Sequence, residues 1–301
     1  MSLGFWKQAS SAIAGLNADA VLQESEQPFA VALIGSPDEV STMEDWLVPP
    51  SLNTAQQAQA RRRIYSITVP LSAGDRALIQ QATIRVAGPA ALPPRSQELH
   101  SITRDYYPFH PDDAAHVAGQ IVAAQPDLHL ALARNFPALR EPVIARIIQK
   151  TSKENAAFAI LSALPNVIPS PIELPWAVGE FASDTVVITA NQLRMALAIA
   201  AACDTPVGFG EQRGQVASIL GSAFGLRAIA RELAGKIPAG GGMVAKGCIA
   251  FAGTYTLGLG LSRWNRLGRR LTSSEKRLTY QRALESGREL VHDLVRRALP
   301  S

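Results

Sequence analysis

This sequence is short of charge. Only 18% of its 301 residues are charged, against about 25% in a typical globular domain, while apolar residues stand at an ordinary 47%. The shortfall is concentrated in residues 155–262, so the average conceals an apolar half. Net charge is +4, too small to argue for a nucleic-acid partner, and the basic excess sits mostly beyond Ser262. Cysteine is scarce as well. Cys203 and Cys248 lie in apolar segments and form no Cys-x-x-Cys pair. They read as two buried free thiols in a reducing compartment, not as a disulfide framework or a metal site. The N-terminus has Lys7 but no uninterrupted apolar core and no clear cleavage site, so it does not read as a signal peptide and secretion is not expected. No segment offers about 20 clean apolar residues, the usual requirement for a membrane span; the closest, 237–262, is interrupted by Lys246.

A phosphate loop is missing too, although its setting is present. Residues 29–34, Phe-Ala-Val-Ala-Leu-Ile, form a short apolar run that stops at Gly35-Ser36-Pro37-Asp38. This predicts a buried strand, a turn and a helix over about 38–48. A phosphate loop there needs Gly-x-x-x-x-Gly-Lys-Ser/Thr. Aligned on Gly35, the second glycine is Val40 and the lysine is Ser41. Pro37 removes a backbone N–H from the cradle, and Asp38 and Glu39 put negative charge where phosphates would sit. Asp38 reads better as a helix cap or first-turn acid. Neither an Asn-Lys-x-Asp for guanine nor a Gly-x-Ser-x-Gly elbow for acyl transfer occurs. No catalytic residue, cofactor or small-molecule substrate is therefore identified, and the chain reads as a non-enzyme.

Residues 5–22 can form a helix with Phe5, Ala9, Ile13 and Leu16 on one face, weakened at Asn17 and Asp19 and ended by the run Gln23 to Pro28. It either packs on the body or lies in a membrane interface with Phe5 and Trp6 at the headgroup level. Strands are expected at 64–70, after the solvated edge Arg61-Arg62-Arg63, and at 82–87, ended by Gly88-Pro89. His110, Asp113 and His116 recur at three-residue spacing, but Pro111 at a helix start and Asp112 and Asp113 in its first turn explain them as capping, so no metal is expected. Helices follow at about 112–124 and 127–134. Asn135-Phe136-Pro137 interrupts them, and a long helix is expected over 138–164.

Pro165, Pro169, Pro171 and Pro175 then break the chain before a helix at 176–203. On that helix Glu180, Asp184, Asn191 and Arg194 share an arc of about 80° on an otherwise apolar cylinder, a candidate polar interaction face. A helix over 212–236 carries Gly221-x-x-x-Gly225, which permits close backbone approach. Pro238-Ala-Gly-Gly-Gly242 is a turn, and a last apolar helix is expected over 243–262. Arg263, Arg266, Arg269 and Arg270 follow at once. A basic edge beside an apolar segment suits an anionic membrane surface, and positive-inside bias would place it in the cytoplasm.

Asn155 to Pro165, the proline break, Thr189-Ala-Asn-Gln-Leu-Arg-Met195 and Ile237-Pro-Ala-Gly-Gly-Gly242 together resemble the bacterial domain of unknown function 697 over roughly 140–270. Members of that family occur behind Era-like GTPase domains and in related inner-membrane proteins. The resemblance implies an α-helical module, often membrane-associated, with no catalytic residues to carry over. The first half departs from the GTPase pattern at Val40 and Ser41, as a degenerate GTPase-like remnant would. The expected fold class is α+β: an N-terminal helix (1–27), a small α/β module (28–134), an α-helical apolar domain (135–270) and a basic amphipathic helical tail (271–301). The expected function is that of a non-enzymatic, membrane-associated scaffold or interaction module on the cytoplasmic side of the inner membrane, with a protein partner or a second copy of itself. The alternative is a soluble cytoplasmic helical partner or regulator of a GTPase.

Overall fold

A computed structural model describes residues 18–162, 184–207 and 242–298. The fold is α+β, with a small parallel sheet in the N-terminal region and helices in the C-terminal half. Contacts divide the chain into two compact units. The α/β unit comprises Leu22–Val143 and Ala201–Asp204, and the helical unit takes its described residues from Ile144–Ala200 and Thr205–Ser301, together with Ala18 to Val21.

The α/β unit is built around β1 (Val31–Gly35), whose five residues are all buried. A strand buried on both faces reads as a continuous apolar run, the pattern of a central parallel strand. Helices α2 (Pro37–Leu47) and α3 (Thr54–Arg61) lead to β2 (Ile64–Thr68), and α4 (Ala73–Gln81) leads to β3 (Ile84–Ala87). After a short helix α5 (Glu98–Ile102), the two-residue strand β4 (Tyr107–Pro108) closes the order β2-β1-β3-β4. Val31 pairs with Ile64 on one side and Ile84 on the other, all in parallel. Ala32, Ile34, Ile67, Ile79, Ala87 and Leu99 fill one side of the sheet.

Three of these elements escape the hydrophobic pattern. Helix α3 carries almost no apolar stripe; it starts from a capping box in which Asn53 accepts from the Gln56 N–H and Gln56 reaches back. Helix α4 starts the same way from Ser72 and Asp75. Strand β4 is too short to show alternation, and its proline fits because the strand lies at the sheet edge. Among Arg61, Arg62 and Arg63, the first two are exposed and the third lies over the Phe29 ring, 5.1 Å from its centroid.

Helix α1 (Ala18–Glu26) runs through the stretch expected to end it. Ser25 is buried and donates to the Leu22 carbonyl at 2.7 Å, and Arg134 donates to Ser25 at 2.9 Å and to Glu26 at 3.1 Å. Gln23, Glu24 and Glu26 are good helix formers, so the helix continues through this run, and the tertiary partners of Ser25 and Glu26 hold its end. Helices α6 (Ala114–Ala124) and α7 (His129–Asn135) precede α8 (Pro137–Leu161). Helix α8 continues past Pro142 because a proline in the second turn removes a single intrahelical bond.

In the helical unit, α8 is joined by α9 (Asp184–Ala202), α10 (Gly242–Leu267) and α11 (Ser273–Ala298). Ile160, Cys248, Phe251, Ala252, Tyr280, Leu284 and Val291 form its core. A Cβ on Gly258 would stand 2.7 Å from Ile148, and one on Gly287 would stand 2.7 Å from Phe251. These two glycines let α10 approach α8, and α11 approach α10, closely. Helix α10 is longer than expected: Arg263 and Arg266 lie in its final turns, where cations complement the helix dipole. It stops where Gly268 takes φ +65° and its N–H bonds to the Trp264 carbonyl at 2.8 Å. The N-terminal helix up to Asn17, the start of the 176–203 helix, the proline break and the 212–236 helix with its Gly-x-x-x-Gly lie outside the described residues.

Candidate functional site

In an open parallel sheet, ligands bind beyond the carboxyl ends of the strands, where the chain reverses its direction of travel across the sheet. Here that point lies between β1 and β3. Gly35 ends β1, and Gly88 follows β3 and donates to the Ile34 carbonyl at 2.8 Å. Ser36 caps α2, Pro37 occupies its first turn and Asp38 is a first-turn acid, so the cap is the serine and not Asp38. Glu39 completes the capping box, its Oε2 accepting from the Ser36 N–H at 2.9 Å. The same carboxylate reaches across the crevice and accepts from the Ala90 N–H at 3.1 and 3.2 Å. A Cβ at either Gly35 or Gly88 would fall 2.6 Å from Glu39 Oε2. The two glycines and the helix N-terminus thus make an anion cradle, and the chain's own carboxylate sits in it. Val40 is 5% exposed and belongs to the core, while Ser41 faces solvent. A nucleotide phosphate at this place would have to displace Glu39 and would meet its charge.

The helical unit holds a buried polar network. Asn191 Nδ2 on α9 donates to Asn155 Oδ1 on α8 at 2.7 Å, and Asn155 Nδ2 donates to Thr254 Oγ1 on α10 at 2.9 Å. Gln192 Nε2 donates to the same hydroxyl oxygen at 3.2 Å. Asn155 and Thr254 are fully buried and Asn191 is 4% exposed. Three helices are therefore fixed in register by uncharged groups, a use of buried polarity that specifies packing. Nearby, burial raises the Glu154 carboxyl above its ordinary value against the pull of Lys150 and Arg194. Burial likewise raises the Cys248 thiol and the Tyr280 hydroxyl. The Tyr280 and Thr256 hydroxyls have no hydrogen-bond partner among the described residues.

The expected polar arc divides. Asn191 points inward to the network and Arg194 is exposed. Glu180 lies outside the described residues, and so does the side chain of Asp184 at the start of α9. Asn155 and Gln192 lie in the motifs that carry the family resemblance but are not expected as site residues, and neither is Thr254; an asparagine and a threonine on otherwise apolar helices are the available signal. The arginine cluster is partly committed to the α10–α11 turn. Arg263 pairs with Glu275 at 2.6 Å, and Arg270 lies 4.1 Å above the Trp264 ring. Arg266 and Arg269 are exposed. His116 faces Gln120 at 3.0 Å, His110 precedes a short 3-10 turn that Asp113 ends, and among the described residues no group of three or more His, Cys, Asp or Glu is placed to hold a metal.

An open groove of about 490 Å³ lies between α8, α10 and α11. Phe251, Tyr255, Leu259 and Leu290 are among its apolar lining residues, and Lys153 and Arg282 are its cations. Helix α10 is long and apolar enough to cross a membrane by length and composition, yet 56% of its most apolar stretch is buried inside the protein. No family model, curated protein or solved structure matches the chain, so the likeness to domain of unknown function 697 rests on the sequence motifs alone.

Proposed function

We propose that this chain is a non-enzymatic helical scaffold or interaction module, membrane-associated on the cytoplasmic side of the inner membrane, whose α/β unit has lost a ligand site to its own side chain. The observation that carries the non-enzymatic half is the Glu39 carboxylate held by Ser36 and Ala90 N–H groups at the sheet's switch point. A nucleotide gains its affinity at such a place from free N–H groups and positive helix-end potential, and here both are already used. Titration calorimetry with Mg·GTP and Mg·ATP is the test. No saturable heat is expected, and micromolar affinity for either nucleotide contradicts the reading.

A second reading, a soluble helical partner or regulator of a GTPase, has its own support. Helix α11 packs along α10 and carries exposed Lys276, Arg277, Arg282, Glu285 and Glu289. If α10 spanned a bilayer in this packing, those charges would enter hydrocarbon, at a cost of about 2.5–3.5 kcal/mol each on insertion scales. Those charges support a peripheral association, by a surface and not by a span.

A further inference from the structure

Among the described residues, the exposed large hydrophobics are Leu267, 66% exposed, and Leu278, 48% exposed. They stand at the end of α10 and in the second turn of α11, on either side of the connecting turn. Between Arg263 and Leu278 lie six cations, Arg263, Arg266, Arg269, Arg270, Lys276 and Arg277, and one carboxylate, Glu275. That carboxylate is committed: it pairs with Arg263, and its oxygen accepts from the Thr272 N–H at 2.8 Å and the Thr272 hydroxyl at 2.9 Å. Gly268 at φ +65° closes α10, the Thr272–Glu275 box opens α11, and Arg270 holds the half-exposed Trp264 ring. The turn is thus a fixed, strongly cationic edge with leucines standing out of it.

We propose that this turn is the protein's docking element for an anionic phospholipid surface, the arginines meeting headgroups while Leu267 inserts beneath them and Trp264 rests at headgroup depth. Charge complementarity selects the anionic lipid. The exposed leucine separates a lipid surface from a nucleic acid, to which a lone aliphatic side chain offers nothing comparable. The proposal rests on the membrane-associated reading and names the part that makes contact.

The test is cosedimentation of the full chain with vesicles of phosphatidylcholine plus phosphatidylglycerol, and with phosphatidylcholine alone. Two exposed positions are varied: Arg269→Glu reverses a charge, and Leu267→Gln removes the wedge without changing charge. Unchanged unfolding midpoints show that both variants remain folded. The wild type is expected to sediment with the anionic vesicles only and to be released as salt screens the contact. Arg269→Glu should weaken binding at least about fivefold, the factor that one cation near an anionic surface contributes, and Leu267→Gln should weaken it comparably. If both variants bind like the wild type, the turn is not the docking element, although the membrane reading stands. Weakening by Arg269→Glu alone marks a site for polyanions and overturns the lipid assignment, as does equal binding to neutral vesicles. Wild-type binding to neither vesicle overturns the proposal, and the distribution of the chain in membranes from expressing cells then decides whether the membrane reading falls with it.

Discussion

Asn155 carries more of the helical unit than any charged residue near it. Its amide accepts from Asn191 and donates to Thr254, and all three side chains are buried. Asn155→Ala takes from the buried Asn191 amide the acceptor that Asn155 supplies and leaves Thr254 with Gln192 as its donor, and the unfolding free energy should fall by about 1–3 kcal/mol. Arg194 is the contrast. It is exposed one turn from Asn191, so Arg194→Ala should cost well under about 1 kcal/mol. A loss of several kcal/mol on denaturant unfolding of that variant would place the arginine in the interior. Glu39 was legible only in part. Its charge argued against phosphate from the sequence alone, but its reach to Ala90 depends on bringing residues 35–39 beside 88–90, which only the β1–β3 pairing does. Of the arc on α9 only Asn191 and Arg194 are described, the first buried and the second exposed: helical angle says which residues share a face, not where the boundary between core and solvent cuts it.

At the scale of elements, the α10–α11 hairpin is set by close approach in its shaft and by caps in its turn. Gly258 leaves no room for a side chain against Ile148. Gly258→Leu should cost about 1–3 kcal/mol through overpacking, read as a lower unfolding midpoint. In the turn, the Thr272 N–H, the Arg263 guanidinium and the Thr272 hydroxyl hold the Glu275 carboxyl down from 4.5 to about 2. A depressed folded-state value means that the contribution is fully present above the unfolded value and is lost as pH falls through the folded one. Stability carried by this cap should therefore decline between about pH 4.5 and pH 2, and Glu275→Gln should flatten that part of the pH dependence; an unaltered profile would show the carboxylate free of its cap. Strand β1 was readable from sequence as a short unbroken apolar run, and α8 and α10 by their length and apolar residues. Helices α3 and α4 were missed because their signal is the capping pair, Asn53 with Gln56 and Ser72 with Asp75, while their stripes are weak. Strand β4 has two residues and exists by pairing with β3.

For the whole molecule, an α/β unit with a self-filled crevice accompanies a helical unit in which the apolar helix α10 turns much of its surface inward. On the proposed function, the chain is a scaffold held at a membrane by its surface. The most direct measurement of that claim is fractionation of expressing cells followed by an alkaline carbonate wash of the membranes. The chain is expected to pellet with membranes and to be released by carbonate, as a peripheral protein is. Retention after the wash would mean that α10 leaves its packing to span the bilayer, and recovery entirely in the soluble fraction would favour the soluble partner; either result contradicts the account.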